Sequence, residues 1–178
     1  RDRLDFVFHK PEEVSDVIKQ PILGHIPYVS AFENLREERF SIVDELYDEK
    51  EKIYQETKSY ERFFYQEAFR NLFTSIRFCS TDKKIQSIVL TSCLPSEGKS
   101  LINIILAKTL SDMGEKVLLI DSDMRKPEVH RRLGLNNILG FSNLLSDPTL
   151  KLENVIQKLK KVDNLDIITG GKIPPDPT

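Results

Sequence analysis

The sequence predicts an α/β fold, a mostly parallel sheet flanked by helices and preceded by a long charged helical segment. Three observations carry that expectation. Apolar, β-branched runs at Ile85–Leu90 and Val117–Ile120 alternate with helix-period segments, the arrangement of a parallel sheet. The stretch from Tyr28 to Leu94 contains neither glycine nor proline, so nothing in it breaks a helix. A Gly-Lys-Ser triplet at 98–100 falls between the first expected strand and the helix after it.

Composition bounds the function classes. A length of 178 residues suits one ordinary domain with an appendage. With 26 Lys and Arg against 28 Asp and Glu the net charge is −2, which gives no global field for nucleic acid, so any phosphate binding must be local. A 39% hydrophobic and 30% charged composition fits a globular chain and argues against general disorder. No apolar run approaches the roughly 18 residues of a membrane span, and the N-terminus lacks a signal-peptide core. By itself the chain reads as neither membrane-spanning nor secreted. Cys79 and Cys93 form no CxxC pair, which suits a reduced cytosolic setting. His9, His25 and His130 are scattered, which argues against a zinc site.

Taken in order, residues 1–30 form a mixed lead-in. Pro11-Glu12-Glu13-Val14 opens a short helix, with proline in its first turn and acids near its positive end. Leu23-Gly24-His25-Ile26-Pro27 reads as a short strand or turn. Residues 31–80 read as helical, because Ile42, Leu46, Ile53, Tyr60 and Phe64 recur at helical steps among Glu and Lys. Such a helix is either a solvated amphipathic element or a partner-binding arm. Phe69, Leu72, Phe73, Ile76 and Phe78 are expected to anchor its end on a core.

Residues 81–178 carry the α/β pattern. Ile85–Leu90 reads as a strand and Leu101–Met113 as a helix stopped by Gly114. The apolar run Val117–Ile120, ending in Asp121, suits a parallel strand buried on both faces. A helix over Pro127–Leu133, closed by Gly134, and a third strand over Asn164–Thr169 complete the pattern.

The chemistry concentrates in two places. Thr91-Ser92-Cys93-Leu94-Pro95-Ser96-Glu97-Gly98-Lys99-Ser100 ends as a phosphate-binding loop does, with Cys93 where the general motif has its first glycine. Gly98 lets the backbone approach oxygen closely, and successive N–H groups at a helix N-terminus hold anionic phosphates. Lys99 would reach the β- and γ-phosphates, and the Ser100 hydroxyl would ligate Mg²⁺. The nucleotide-binding residues expected on this P-loop NTPase-like reading are Ser96, Glu97, Gly98, Lys99, Ser100 and Leu101. The second place is the strand end Asp121-Ser122-Asp123, at the carboxyl edge of the sheet where open α/β folds bind ligands. Asp121 or Asp123 could hold Mg²⁺ through water or accept a proton from a hydroxyl nucleophile; Asp121 could also simply cap the following turn. Arg125, Lys126, Arg131 and Arg132 form a basic cluster beside them, either a solvated face or a contact for phosphate or a neighbouring subunit.

At this point the sequence resembles the bacterial tyrosine kinases of capsule and exopolysaccharide synthesis and export. Those enzymes have a loop ending Pro-x-Glu-Gly-Lys-Ser and then a strand ending Asp-x-Asp-x-Arg, matched by Pro95–Ser100 and Asp121–Arg125. Glu67–Leu72 with Ile76-Arg77-Phe78 is similar to the family's helix before the first strand, and Ile168-Thr169-Gly170 followed by Pro174-Pro175-Asp176-Pro177 to its segment after the third. Leu23–Pro27 is similar to the stretch following the second transmembrane helix of the membrane adaptor. The resemblance implies ATP and Mg²⁺ as cofactors, with Lys99 and Ser100 on phosphate and metal. Asp121 and Asp123 would be the catalytic acids, with Asp121 also facing the metal and chosen first as activator of the acceptor tyrosine. It implies subunit contacts through Glu67 and Arg70, part of a Glu-x-x-Arg-x-x-Arg motif whose third member is replaced by Phe73. It further implies a homo-oligomer phosphorylating in trans, a transmembrane polysaccharide co-polymerase region in the same or a partner chain, and a place at the cytoplasmic face of the bacterial inner membrane.

The family's Walker B strand, ending Asp-[Ser/Thr]-Pro-Pro, and its tyrosine-rich tail have no counterpart here. The expectation is therefore an internal piece of a longer protein, poor at binding nucleotide alone and inactive. Two other functions compete. A partitioning or septum-positioning ATPase would need a signature lysine where Leu94 stands. A non-catalytic nucleotide-binding scaffold gating polysaccharide polymerisation fits the replacement by Phe73. A dinucleotide oxidoreductase fits poorly, because no G-x-G-x-x-G follows any expected strand.

Overall fold

The computed structural model describes residues 8, 10–27, 55–79, 85–95, 97–160 and 162–173. Helix α1 spans Pro11–Ile18 and opens on proline with Glu12 and Glu13 in its first turn, as the sequence predicts. Helix α2 spans Gln55–Phe78 and α3 spans Lys99–Asp112. Strand β1 is Val117–Ile120; the short helices α4 (Val129–Leu133) and α5 (Phe141–Ser146) follow. A 3₁₀ turn at Leu152–Asn154 leads into β2 (Gln157–Lys158), and β3 is Leu165–Ile168.

The sheet order is β1-β3-β2. β1 and β3 pair in parallel, with Val117 opposite Leu165 and Ile120 opposite Ile168. β2 adds an antiparallel edge of two residues, an element with too little sequence to show a period. Helix α3 lies between two apolar layers. Its Ile104 and Ala107 join Leu119, Val129, Leu133, Val162, Leu165 and Ile167 against the sheet. Its Ile105 and Leu106 meet Tyr65 and Phe69 of α2, with Ile26 and Leu90 at the margin. The buried run at 104–109, apolar from Ile104 to Ala107, explains why α3 has no exposed polar stripe there: a helix covered on two sides is buried around most of its circumference. Tyr65 and Phe69 meet edge to face, with ring centroids 5.0 Å apart. Burial pushes the Tyr65 phenol up to about 12.

Several expectations need correction. Ile85–Leu90 forms no strand. A β-branched composition suits a pleated surface, but a strand exists only where another segment supplies the ladder. Here Leu90 turns into the α2–α3 cluster while Val89 is 88% exposed. β1 is covered on one face only: Leu119 is buried in the cluster with residues of α3 and α4, but Leu118 and Ile120, on the other face, are exposed. Leu23–Pro27 is no strand either; it lies along α2, where a Cβ on Gly24 would touch Leu72 at 3.4 Å. On α2, Phe69, Phe73 and Ile76 are buried and Leu72 partly so, yet Phe64 and Phe78 point outward, since each lies off the face that meets α3. The expected helix over residues 31–54 and the segment 81–84 lie outside the described residues.

Candidate nucleotide site

The loop between residues 91 and 98 delivers the chain to the N-terminus of α3. Gly98 has φ +89°, a left-handed conformation that side-chain-bearing residues rarely adopt, and it is the residue from which the helix starts. Among the described residues the space beside it is open, for an added Cβ would find only Ile102 Cδ1, at 3.9 Å. Backbone conformation rather than crowding therefore selects glycine. Ile102 N–H donates to Gly98 C=O at 2.9 Å, closing the first turn.

The start of α3 fits an anion. Its first backbone N–H groups have no intrahelical acceptor. Among the described residues no side chain caps them, and the first turn holds no acid. A helix of 14 residues with an uncapped N-terminus presents aligned donors and positive dipole to whatever sits before Gly98. Lys99 and Ser100, both half-buried, occupy the first two positions of that helix. Glu97 is exposed and its carboxylate turns back on the loop, accepting the Leu94 N–H at 3.0 Å. That bond, with contributions from the Ser92 hydroxyl, the Cys93 N–H and the Lys99 charge, holds Glu97 below the usual carboxylate range. Leu101 turns its side chain into the α2–α3 cluster. Ser96 lies outside the described residues.

The acids at the end of β1 are arranged differently from each other. Asp121 is 5% exposed. Its Oδ2 accepts the Glu128 and Val129 N–H groups, each at 3.1 Å, and its Oδ1 accepts the Asp123 N–H at 3.3 Å. Asp121 thus caps α4, satisfying donors that the helix cannot. A carboxylate has about four lone-pair positions, so three donors leave one for a metal-bound water or a proton. Burial pushes its acidity toward higher pH, and the nearby Asp123 adds to that, against the opposing pull of the three N–H groups. Asp123 is exposed, and its Oδ1 accepts the N–H groups of Arg125 and Lys126 at 3.2 and 2.9 Å, a turn that orients the basic pair. Of the four basic residues, Arg132 bonds Glu128 at 2.8 Å and Lys126 lies 3.7 Å from the same carboxylate.

Two supports were not visible in sequence. Glu128 and Val129 reach Asp121 across a chain reversal of seven and eight residues, too irregular for periodicity to announce. The glycines after β3 form the other: Phe141 and Ser142 N–H groups donate to Thr169 and Gly170 C=O, and Asn137 exchanges two hydrogen bonds with Gly171. Gly170 lies so close to Pro127 that an added Cβ would stand 2.5 Å from that ring's Cβ. On α2, Glu67 and Arg70 pair with each other at 2.5 Å, and Arg77 lies 5.7 Å over the ring of the buried Phe73. No group of three or more metal-binding side chains occurs among the described residues, and no described helix is long and apolar enough to cross a membrane.

Comparison with known proteins decides the kinship. The chain is 40% identical over 111 residues to the tyrosine-protein kinase YwqD of Bacillus subtilis, covering 62% of this chain and 46% of that protein. Its homologues are bacterial tyrosine kinases. A putative tyrosine-protein kinase of Staphylococcus aureus, CapB, is 37% identical over 112 residues, or 63% of this chain and 48% of that one. Among solved structures, the chimerical protein CapA2B2 is 32% identical with a TM-score of 0.71, covering 94% of this chain and 63% of that chain. The kinase domain of the Escherichia coli tyrosine kinase ETK gives a TM-score of 0.72 at 26% identity, over 94% of this chain and 62% of that chain. The chain therefore spans less than half the length of the curated tyrosine kinases named first. No family model matches it.

Proposed function

We propose that this chain is the nucleotide-binding part of a protein-tyrosine autokinase that regulates the chain length or export of an exopolysaccharide or capsule. The observation that carries the proposal is the uncapped N-terminus of α3 behind left-handed Gly98, with Lys99 and Ser100 in its first turn and a buried carboxylate, Asp121, at the end of the neighbouring strand. Likeness to tyrosine kinases over 62% of the chain supports the same reading.

ATP is the phosphoryl donor in this reading. The N–H groups at the start of α3 and the Lys99 ammonium hold its phosphates, Ser100 is suited as an oxygen ligand of Mg²⁺, and the one remaining position on Asp121 is kept for the phenolic proton. Bound Mg²⁺ would neutralise charge on the transferring group. A tyrosine hydroxyl attacks the γ-phosphorus: an O–P bond forms, the bond to the β-γ bridging oxygen breaks, ADP leaves, and the phenolic proton passes to Asp121. A carboxylate pushed upward by burial is better matched to that proton than an exposed one, which favours Asp121 over Asp123. The acceptor belongs to a neighbouring copy, with Glu67 and Arg70 of α2 at the contact, and the kinase works beside a transmembrane co-polymerase region at the cytoplasmic membrane face. Residues 1–30 lead from that region, 31–80 carry the contact helix, and 81–178 begin the catalytic domain.

The alternative is a scaffold that binds nucleotide without transferring phosphate. Phe73 favours it, because the buried ring, where the family's motif has an arginine, weakens a charged subunit contact. Incubating the intact gene product with Mg·ATP separates the two. Phosphotyrosine supports the kinase; bound nucleotide with no phosphotyrosine, and association that depends on nucleotide, supports the scaffold.

A further inference from the structure

The side chain of Glu97 is the one charged group of the loop whose placement the nucleotide site does not require, and it is oddly sited. A carboxylate immediately before Gly-Lys-Ser stands next to where phosphates bind, and like charges at such separations repel. The loop resolves this by turning the side chain outward and back. Glu97 Oε2 accepts the Leu94 N–H at 3.0 Å, while Ser92 Oγ donates to Leu94 C=O at 2.9 Å. Both backbone polar groups of Leu94 are thus engaged, its C=O by Ser92 before it and its N–H by Glu97 after it. The residue after Leu94 is Pro95, which has no N–H of its own to contribute to a turn. The Cys93 N–H also favours the charged carboxylate.

The geometry points to Glu97 as a positioning residue: its carboxylate holds the Leu94 N–H in the middle of the phosphate loop, steadying the turn that leads into Gly98 for nucleotide. This rests on the nucleotide-binding reading above and adds to it a residue that acts through Leu94, without touching ATP. Loops of this kind supply binding through backbone donors, whose value depends on their being held in place before the ligand arrives. The bond needs an acceptor at the Glu97 position, not a charge, so glutamine should serve where alanine cannot.

The test uses the intact gene product, wild type beside its Glu97→Ala, Glu97→Gln and Lys99→Met variants. The Leu94 amide is followed by NMR hydrogen exchange and by its shift across the pH range in which Glu97 titrates, and Mg·ATP affinity is measured by calorimetry. The expected result is a protected Leu94 amide in the wild type and in Glu97→Gln, loss of that protection in Glu97→Ala, and Mg·ATP binding weakened about tenfold in Glu97→Ala alone, the size of one hydrogen bond to an ordered group. Thermal midpoints should stay together, since the residue is exposed. Equal affinity in wild type and Glu97→Ala, with Lys99→Met weaker than both, would overturn the positioning role alone. Tighter binding by both Glu97 variants would also overturn it, showing a carboxylate that merely opposes phosphate. A wild type that binds no better than Lys99→Met would overturn the nucleotide site and the role built on it together.

Discussion

The Oδ2 atom of Asp121 accepts the Val129 N–H at 3.1 Å, tying the end of β1 to the first turn of α4. The same carboxylate that the proposed chemistry uses as a base is therefore part of the fold. Substitution at this position will mix two effects, and they can be separated. Asp121→Ala leaves the buried Val129 and Glu128 N–H groups without an acceptor and should destabilise the chain by about 1–3 kcal/mol. Asp121→Asn keeps one acceptor oxygen and should recover part of that loss in a thermal melt. Both should abolish tyrosine phosphorylation in the intact protein, because an amide accepts no proton. Activity retained in Asp121→Asn would remove Asp121 from the chemistry and leave it as a cap.

His130 follows Val129 in α4, and its Nδ1 is buried with no hydrogen-bond partner among the described residues. Burial lowers its pKa below the ordinary 6.5, Asp121 opposes that, and Arg131 adds to it. The sign follows from linkage. Below 6.5 the unfolded chain takes up the proton first, so stability present at neutral pH is lost as pH falls from 6.5 through the lower folded value. Melting curves between pH 7.5 and 5.5 should show this slope, and His130→Gln should flatten it. An NMR titration of the ring should give a midpoint below 6.5.

Gly170 has no room for a side chain, with Pro127 2.5 Å from an added Cβ. Gly170→Ala should push Pro127 and the turn after Asp121 outward. The expected loss is about 1–3 kcal/mol, the range of overpacked cores, read as a lower midpoint in urea.

Phe69 is fully buried at the centre of the contact between α2 and α3. Phe69→Ala should cost about 3–5 kcal/mol and detach α2, which limited proteolysis within Gln55–Phe78 would register. Phe64→Ala, on the exposed face, should leave both stability and proteolysis nearly unchanged.

Local signals in the sequence translate well where one residue decides the geometry. Pro11 opens α1, Gly98 starts α3, and Gly114 and Gly134 follow α3 and α4 with positive φ, as their positions suggest. The parallel pairing of β1 with β3 follows from two apolar runs separated by helices. What was illegible depends on distant partners. Ile85–Leu90 has a strand's composition but no ladder, and β2 is too short to have a pattern. The site divides the same way. Gly98, Lys99 and Ser100 announce themselves by type and spacing, whereas the bond of Asp121 to Val129 and the fold of Glu97 onto Leu94 exist only once the chain reverses direction.

The central claim is that the loop ending at Ser100 serves phosphoryl transfer to tyrosine. The most direct measurement is radiolabel transfer from γ-labelled Mg·ATP to tyrosine in the intact gene product, wild type beside Lys99→Met. The account predicts phosphotyrosine in the wild type and its loss in Lys99→Met, with the thermal midpoint unchanged. Equal labelling of the two proteins, or none in a wild type that binds Mg·ATP, would contradict it.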